Sequence, residues 1–569
     1  MTEVAAANAI VVPKIQPKIG RDDWIMRGCM VGIGVFLLVA VLLPLYVMLS
    51  KSLENKDGVF IGLANYIDYF STPALFLSAF NSLYISFFAT VLVLGTAFVY
   101  GYALTRTCMP IKWLFRLIAV VPLLTPSVLS GISLVYWFGR QGVAKEMLLG
   151  ESIYGPIGII IGSSYWVFPH VLMIVITALS ITDARLYEAA IALRTSKIKT
   201  FFTVTIPGCK YGLISAGFVA FTLIFTDFGV PKVIGGNFNM LATDIYKQVI
   251  GQQNFQMGAV VSVILLVPAV VAFTVDRIVQ KKQVALLSSR AVPYQPTPSP
   301  RRDWVMFAFC SLVALLILAM IGMAQYAALI KFWPYNLELT FGNYDFELAN
   351  GGGWDSYFNS IRMALYTAAI GTATIFFGAY LVEKGRGFIL GRNAFHAIAM
   401  IPLAVPGMVL GLAYIFFFNN PANPFNFIYA TMIILVIATI THFYTVSHLT
   451  AVTALKQMDA EFESVSASLK TPFYRTFLVV TVPVCLPAIL DISIYLFMNA
   501  MTTVSAVVFL YSTDTTLASV AVLNMDDQGE LPFAAAMAMM IAYTCAAARI
   551  FHMLLTRGVT RSTQAWRTR

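Results

Sequence analysis

Apolar runs of about 20 residues recur along the whole chain, each bounded by a short polar loop. A helix rises ~1.5 Å per residue, so a run of that length crosses the ~30 Å hydrocarbon core of a bilayer. Twelve such runs are present: residues 24–49, 80–104, 114–138, 157–179, 211–230, 257–279, 304–329, 358–382, 394–418, 427–452, 484–510 and 533–555. Backbone groups in hydrocarbon must bond to one another, so such runs fold as helices. The chain is expected to be an all-α polytopic membrane protein with twelve transmembrane helices. Its composition agrees, with 11% charged residues against about 25% in soluble domains.

The net charge is +10, and its placement orients the chain. With the N-terminus on the cytoplasmic side, 29 of the 37 Lys and Arg residues fall in cytoplasmic segments, as the positive-inside bias requires. The outer loops carry acids instead, such as Asp345, Glu347 and Asp355, then Asp526, Asp527 and Glu530. Basic residues spread over alternate loops imply a lipid environment and no nucleic-acid partner. Both termini are expected in the cytoplasm of a bacterial cell, with the first helix retained rather than cleaved. The six Cys are scattered singly, which suggests neither a disulfide framework nor a zinc site.

The chain repeats itself. Asn65-Tyr66 lies sixteen residues before Asn81-Ser82, and Asn343-Tyr344 sixteen before Asn359-Ser360. Pro122 and Pro126 match Pro402 and Pro406, and Gly131 matches Gly411. Equivalent points are separated by six runs, and an even number preserves orientation. The expected arrangement is a 6+6 parallel tandem repeat. It divides the chain into a cytoplasmic N-terminal segment (1–23), a first half (24–279), a linker (280–303), a second half (304–556) and a cytoplasmic tail (557–569). Pro293, Pro296, Pro298 and Pro300 favour an extended, solvated linker.

Two polar islands repeat without a gap: Asp183 aligns with Asp459, Leu193 with Leu469 and Pro207 with Pro483. Both fall on the cytoplasmic side. In the first, Leu186, Ala189, Ala190 and Leu193 form one helical stripe. In the second, Phe462, Val465, Ser466 and Leu469 do the same. A single amphipathic helix of this kind could lie on lipid. Two copies with matched spacing favour docking of a soluble partner.

These loops resemble the EAA loop of binding-protein-dependent ABC importer permeases of the type I (MetI-like) fold. The resemblance covers both halves. It implies that each loop forms a coupling helix seated in a cleft of a cytoplasmic ATPase, with two ATPase copies and an extracytoplasmic solute-binding protein as partners. The family's Glu-Ala-Ala matches Glu188-Ala189-Ala190; the second copy carries Ser464-Val465-Ser466, with its acid one position earlier at Glu463. Arg194 and Lys470 stand where the family has a glycine, and they leave the shape of the turn open. The coupling residues implied are Asp183, Leu186, Glu188, Ala189, Ala190, Leu193 and Arg194, then Asp459, Phe462, Glu463, Ser464, Ser466, Leu469 and Lys470. A fused two-half permease of this length most resembles the ferric-iron and 2-aminoethylphosphonate branch. Thr226-Asp227-Phe228-Gly229-Val230-Pro231 and Met501-Thr502-Thr503-Val504-Ser505-Ala506 look like the aminoethylphosphonate members. An organophosphonate is thus the expected solute, with ferric iron or another small solute as the alternative.

Polar groups at membrane depth usually face a cavity or a neighbouring helix. Thr226, Asp227, Asn499, Thr502 and Thr503 are candidates for the solute pathway, and Asp491, opposite Ser215 in the repeat, for its cytoplasmic end. No phosphate-binding G-x-x-x-x-G-K-[ST] loop, H-E-x-x-H or G-x-S-x-G is present. The chain is therefore read as a transporter subunit with no catalytic residues, no metal and no cofactor of its own, ATP being bound by the partner. An ion-gradient-driven secondary transporter would share the 6+6 count, but would need coupling carboxylates of which this chain has few.

Overall fold

The computed structural model describes residues 20–286, 292, 294–385, 387–459 and 461–563. The expectations for residues 1–19, 287–291, 293 and 564–569 lie outside them. Among the described residues, eight helices are long and apolar enough to cross a membrane, and four further pairs do so as bent helices, up to twelve spans in all. The first half contains α1 (Arg21–Lys51), α2 (Pro73–Arg106), the bent pair α3 (Lys112–Leu124) and α4 (Ser127–Phe138), and α5 (Pro156–Ser180). A short α6 (Ala184–Ala192) precedes α7 (Lys197–Phe225), α8 (Gly229–Ile234), α9 (Leu241–Tyr246) and α10 (Phe255–Leu286). The second half runs through α11 (Pro300–Leu329), α12 (Gly353–Lys384), the bent pair α13 (Ile389–Ala404) and α14 (Gly407–Phe418), and α15 (Met432–His442) and α16 (Tyr444–Lys456). It ends with α17 (Glu461–Ser468), α18 (Phe473–Val484), α19 (Leu486–Thr502), α20 (Ala518–Asp527) and α21 (Leu531–Thr563). One two-stranded antiparallel hairpin, Ile330–Phe332 with Asn336–Leu339, departs from the all-α expectation.

The bends have a sequence cause. α3 and α4 meet at 102° and α13 and α14 at 112°. Pro126 and Pro406 stand at these corners and hold the preceding Thr125 and Val405 in extended backbone. Two further breaks, 55° between α15 and α16 and 78° between α18 and α19, have no counterpart in α5 and α7. The second follows from Pro487, which cannot donate to the carbonyl of Pro483 and crowds it.

The repeat recurs in individual bonds. Asn65 Nδ2 donates to the carbonyls of Ser52 (3.0 Å) and Glu54 (2.9 Å), and Asn343 Nδ2 to those of Ala328 (3.1 Å) and Ile330 (2.7 Å). Asn81 Nδ2 donates to Asn239 O, and Asn359 Nδ2 to Asp514 O and Thr516 O. The Ser82 hydroxyl accepts from the Leu241 amide and the Ser360 hydroxyl from the Ala518 amide, each at 2.8 Å. These side chains satisfy backbone groups where the helices break, which a membrane interior demands.

The first helix of each half is exchanged. α1 packs against α12, α13 and α14, and α11 against α2, α3 and α4 as well as α21 of its own half. The smaller core cluster accordingly joins residues of α2, α5 and α7 with Cys310, Ala314 and Ile317 of α11. The larger one sets Leu37, Val41 and Met48 of α1 among residues of the second half.

Asn343 is buried and serves two carbonyls, whereas Asn65 is only half-buried. Asn343→Ala is expected to cost about 1–3 kcal/mol, seen as a lowered midpoint in thermal unfolding of the detergent-purified chain, with Asn65→Ala the milder of the two.

Candidate functional site

The two repeated loops fold alike. Asp183 precedes α6 and its Oδ1 accepts the Arg185 amide at 3.0 Å; Asp459 Oδ1 accepts the Glu461 amide at 3.0 Å ahead of α17. Each carboxylate thus takes up an orphan donor and complements the positive end of its helix. Both helices end in the same turn. Arg194 has φ 51° and Lys470 φ 52°, the left-handed region. The Thr195 amide returns to Ala190 O and the Thr471 amide to Ser466 O, each at 3.0 Å, closing a Schellman-type cap. The turn normally given to glycine is therefore made here by basic residues, in both halves.

The stripe differs from the expected one in one respect. Leu186, Ala189 and Leu193 are exposed, Leu193 at 77%, but Ala190 turns inward and is buried, while Ile191 faces out. A methyl group there lets α6 lie close to the permease body. In the second loop Phe462, Val465 and Leu469 are exposed, Leu469 at 72%, and Ser466 bonds the Thr476 hydroxyl. Glu188 is exposed. Each loop thus presents exposed apolar side chains beside basic residues.

Each loop is tied to the end of the second long helix of its half, a feature missed by reading the loops alone. Arg106, the last residue of α2, is buried, donates to Leu179 O at 2.6 Å and lies over the rings of Tyr187 (5.0 Å) and Tyr294 (4.4 Å). Burial pushes the Tyr187 hydroxyl up from its ordinary value. Lys384, the last residue of α12, forms an ion pair with Glu463. The linker, expected to be solvated, lies on the first loop at the described residues. The Ala184 amide donates to Val292 O at 2.9 Å, and Tyr294 stands 4.5 Å from Tyr187.

The pathway candidates sit elsewhere, beyond α7 and on α19. Asp227 is buried, and its carboxylate accepts the amides of Gly229 and Val230, both at 3.2 Å, capping α8. That cap seats α8 between α4 and α5, where a side chain at Gly131 or Gly162 would meet Val233 or Val230 within 3 Å. Thr226 and Thr502 donate to the carbonyls of Thr222 and Met498, and Asn499 to Tyr495 O. Thr503 is buried, its carbonyl accepting the Ser519 hydroxyl. Asp491 pairs with His552 at 3.3 Å; at the equivalent place in the first half, Ser215 donates to Asp276 at 2.5 Å. The structure thus gathers the coupling candidates into two surfaces, bonds Thr226, Asp227, Asn499 and Thr502 within their own helices and turns, and ties Thr503 to α20 and Asp491 to α21.

Residues 101–284 match the binding-protein-dependent transport system inner membrane component family. The chain is 28% identical over 454 residues to a putative ferric transport system permease protein, FbpB 1, of Haemophilus influenzae, covering 76% of this chain and 70% of that protein. It is 28% identical over 477 residues to the ferric transport system permease protein FbpB of Actinobacillus pleuropneumoniae, covering 79% and 67%. A spermidine/putrescine transport system permease protein, PotB, of Escherichia coli matches 41% of this chain over 89% of its own length at 24% identity. These likenesses support a multi-pass inner-membrane permease of an ABC importer. They lend nothing to the phosphonate expectation and favour the ferric alternative.

A left-handed residue other than glycine costs about 1–2 kcal/mol. Arg194→Gly and Lys470→Gly should therefore keep both turns and tighten them, while β-branched Arg194→Val and Lys470→Val should loosen them. Proteinase K digestion of inverted membrane vesicles checks this, the valine variants being cut faster within residues 183–207 and 459–483.

Proposed function

We propose that this chain is the permease of an ATP-driven importer, with both halves in one polypeptide, and that it moves a solute handed over by an extracytoplasmic binding protein. The observation that carries this reading is the pair of matched loops. Their exposed Leu186, Ile191 and Leu193, and Phe462, Val465 and Leu469, stand on the side where the basic loops gather. Each fits the cleft of one ATPase subunit, so two copies are expected. ATP is bound there and not on this chain. Both termini lie on the same cytoplasmic side. Ferric iron is the solute that the similar permeases favour, and its recognition is assigned to the extracytoplasmic binding protein.

Docking through apolar anchors is undone by charge. Leu193→Asp and Leu469→Asp are each expected to weaken retention of the ATPase about ten-fold, measured by co-purification from membranes with the partner ATPase co-expressed. Uptake of radiolabelled ferric iron should persist when the proton gradient is collapsed and ATP is kept. Uptake that stops under those conditions would favour a gradient-driven carrier instead.

A further inference from the structure

The repeat places one position pair in contact twice and fills it with different chemistry. Arg106 and Lys384 each end the second long helix of their half. Tyr187 and Glu463 occupy the same place in the two loops, counted from Asp183 and Asp459. In the first half the pair is a cation over a ring, at 5.0 Å. In the second it is an ion pair. The surroundings repeat as well: Tyr102 meets Phe201 at 6.1 Å, and Tyr380 meets Phe477 at 4.7 Å. A contact kept in place through a change of chemistry marks a mechanical requirement at that place.

We propose that Arg106 and Lys384 are positioning residues for energy coupling, each fastening its coupling helix to the transmembrane bundle, and that the linker between the halves is the third member of the first clamp through Tyr294. This rests on the function proposed above. The first clamp is closed on three sides. Arg106 is buried between the rings of Tyr187 and Tyr294, Val292 O takes the Ala184 amide, and Val292 N donates to Asp183 Oδ1 at 3.3 Å. Cys108 Sγ also donates to Pro296 O at 3.3 Å, and Arg302 to Thr297 O at 2.6 Å, seating the following linker residues. The second clamp is an ion pair with Lys384 nearly buried and Glu463 partly open to water. At its far side the Phe473 amide donates to Asp22 at the start of α1, at 3.0 Å. The two coupling helices are thus fastened by different chemistry: the first by buried aromatic and backbone contacts, the second by an ion pair and the bonds of Ser466 and Phe473.

The test uses the full chain with its ATPase in lipid nanodiscs, reading ATP turnover of the bound ATPase and the amount bound. Lys384→Glu is expected to lower turnover about five-fold with the ATPase still bound, and the exchanged pair Lys384→Glu/Glu463→Lys to return it to within about two-fold of the native value. Tyr294→Leu should lower turnover and Tyr294→Phe should not. Native turnover in Lys384→Glu, or an exchanged pair no better than the single variant, overturns the clamp in the second half. Native turnover in Tyr294→Leu overturns it in the first. A separate arm needs no ATPase: in the chain alone, Pro296→Cys should form a disulfide with native Cys108 under mild oxidation, and its absence would mean that the linker is not seated. An ATPase that fails to bind the native chain while this disulfide forms would sink the proposed function, and the coupling role with it, and leave standing only the seat of the linker.

Discussion

A broken helix at membrane depth exposes backbone groups that have no water to turn to, and this constraint shapes the rest of the structure. The chain breaks its helices repeatedly, at 102° and 112° in the two proline corners alone. Beside these corners, where the chain turns after α7 and before α9 and α20, short polar side chains take up the backbone groups. Asp227 takes the amides that open α8, Ser82 and Ser360 take those of Leu241 and Ala518, and Asn81 and Asn359 donate to carbonyls across the bundle. Unsatisfied, any one of these groups would cost several kcal/mol in hydrocarbon. Asp227, Ser82, Ser360, Asn81 and Asn359 thus each have a structural role in bonding backbone groups.

The halves share these bonds but not their chemistry elsewhere. Where the first half joins α7 to α10 through Ser215 and Asp276, the second joins α19 to α21 through Asp491 and His552. The acid has moved from one helix to the other while the bond has stayed. Arg106 and Lys384 behave in the same way against Tyr187 and Glu463. At each of these places the residues differ between the halves while the contact is kept. The exchanged first helices have a related effect: with α1 seated on the second half and α11 on the first, neither half completes its core without the other.

Much of this was legible in the residues. The number of spans, the repeat and the two loops follow from apolar run length, matched spacings and the alignment of Asp183 with Asp459. The proline corners were visible as Pro122–Pro126 and Pro402–Pro406, although their angle was not. The break before Leu486 was hidden because an apolar run carrying Pro487 reads like one that crosses without interruption. The inward turn of Ala190 was hidden because a helical stripe fixes which residues share a face and leaves the burial of each to the neighbours. The linker's seat on the first loop was masked by its prolines, which argue equally for extended chain in water and extended chain on a surface. Arg106 and Lys384 could have been found by carrying the repeat alignment to the ends of the second helices.

The left-handed residues bring these points together. Arg194 and Lys470 hold a conformation that costs an ordinary side chain about 1–2 kcal/mol, and they hold it at the same place in two loops that have otherwise diverged. A turn of any shape would connect the short helix to the next span. This one directs the amide of the following threonine back to Ala190 or Ser466 and fixes the angle at which α6 and α17 leave the bundle. The same left-handed turn, made without glycine, thus sets the same exit angle for the short helix in both loops. The basic side chains also stand beside exposed Leu193 and Leu469, within the face that a partner would cover. The conformational cost is then set against contacts that a glycine at the same turn could not make.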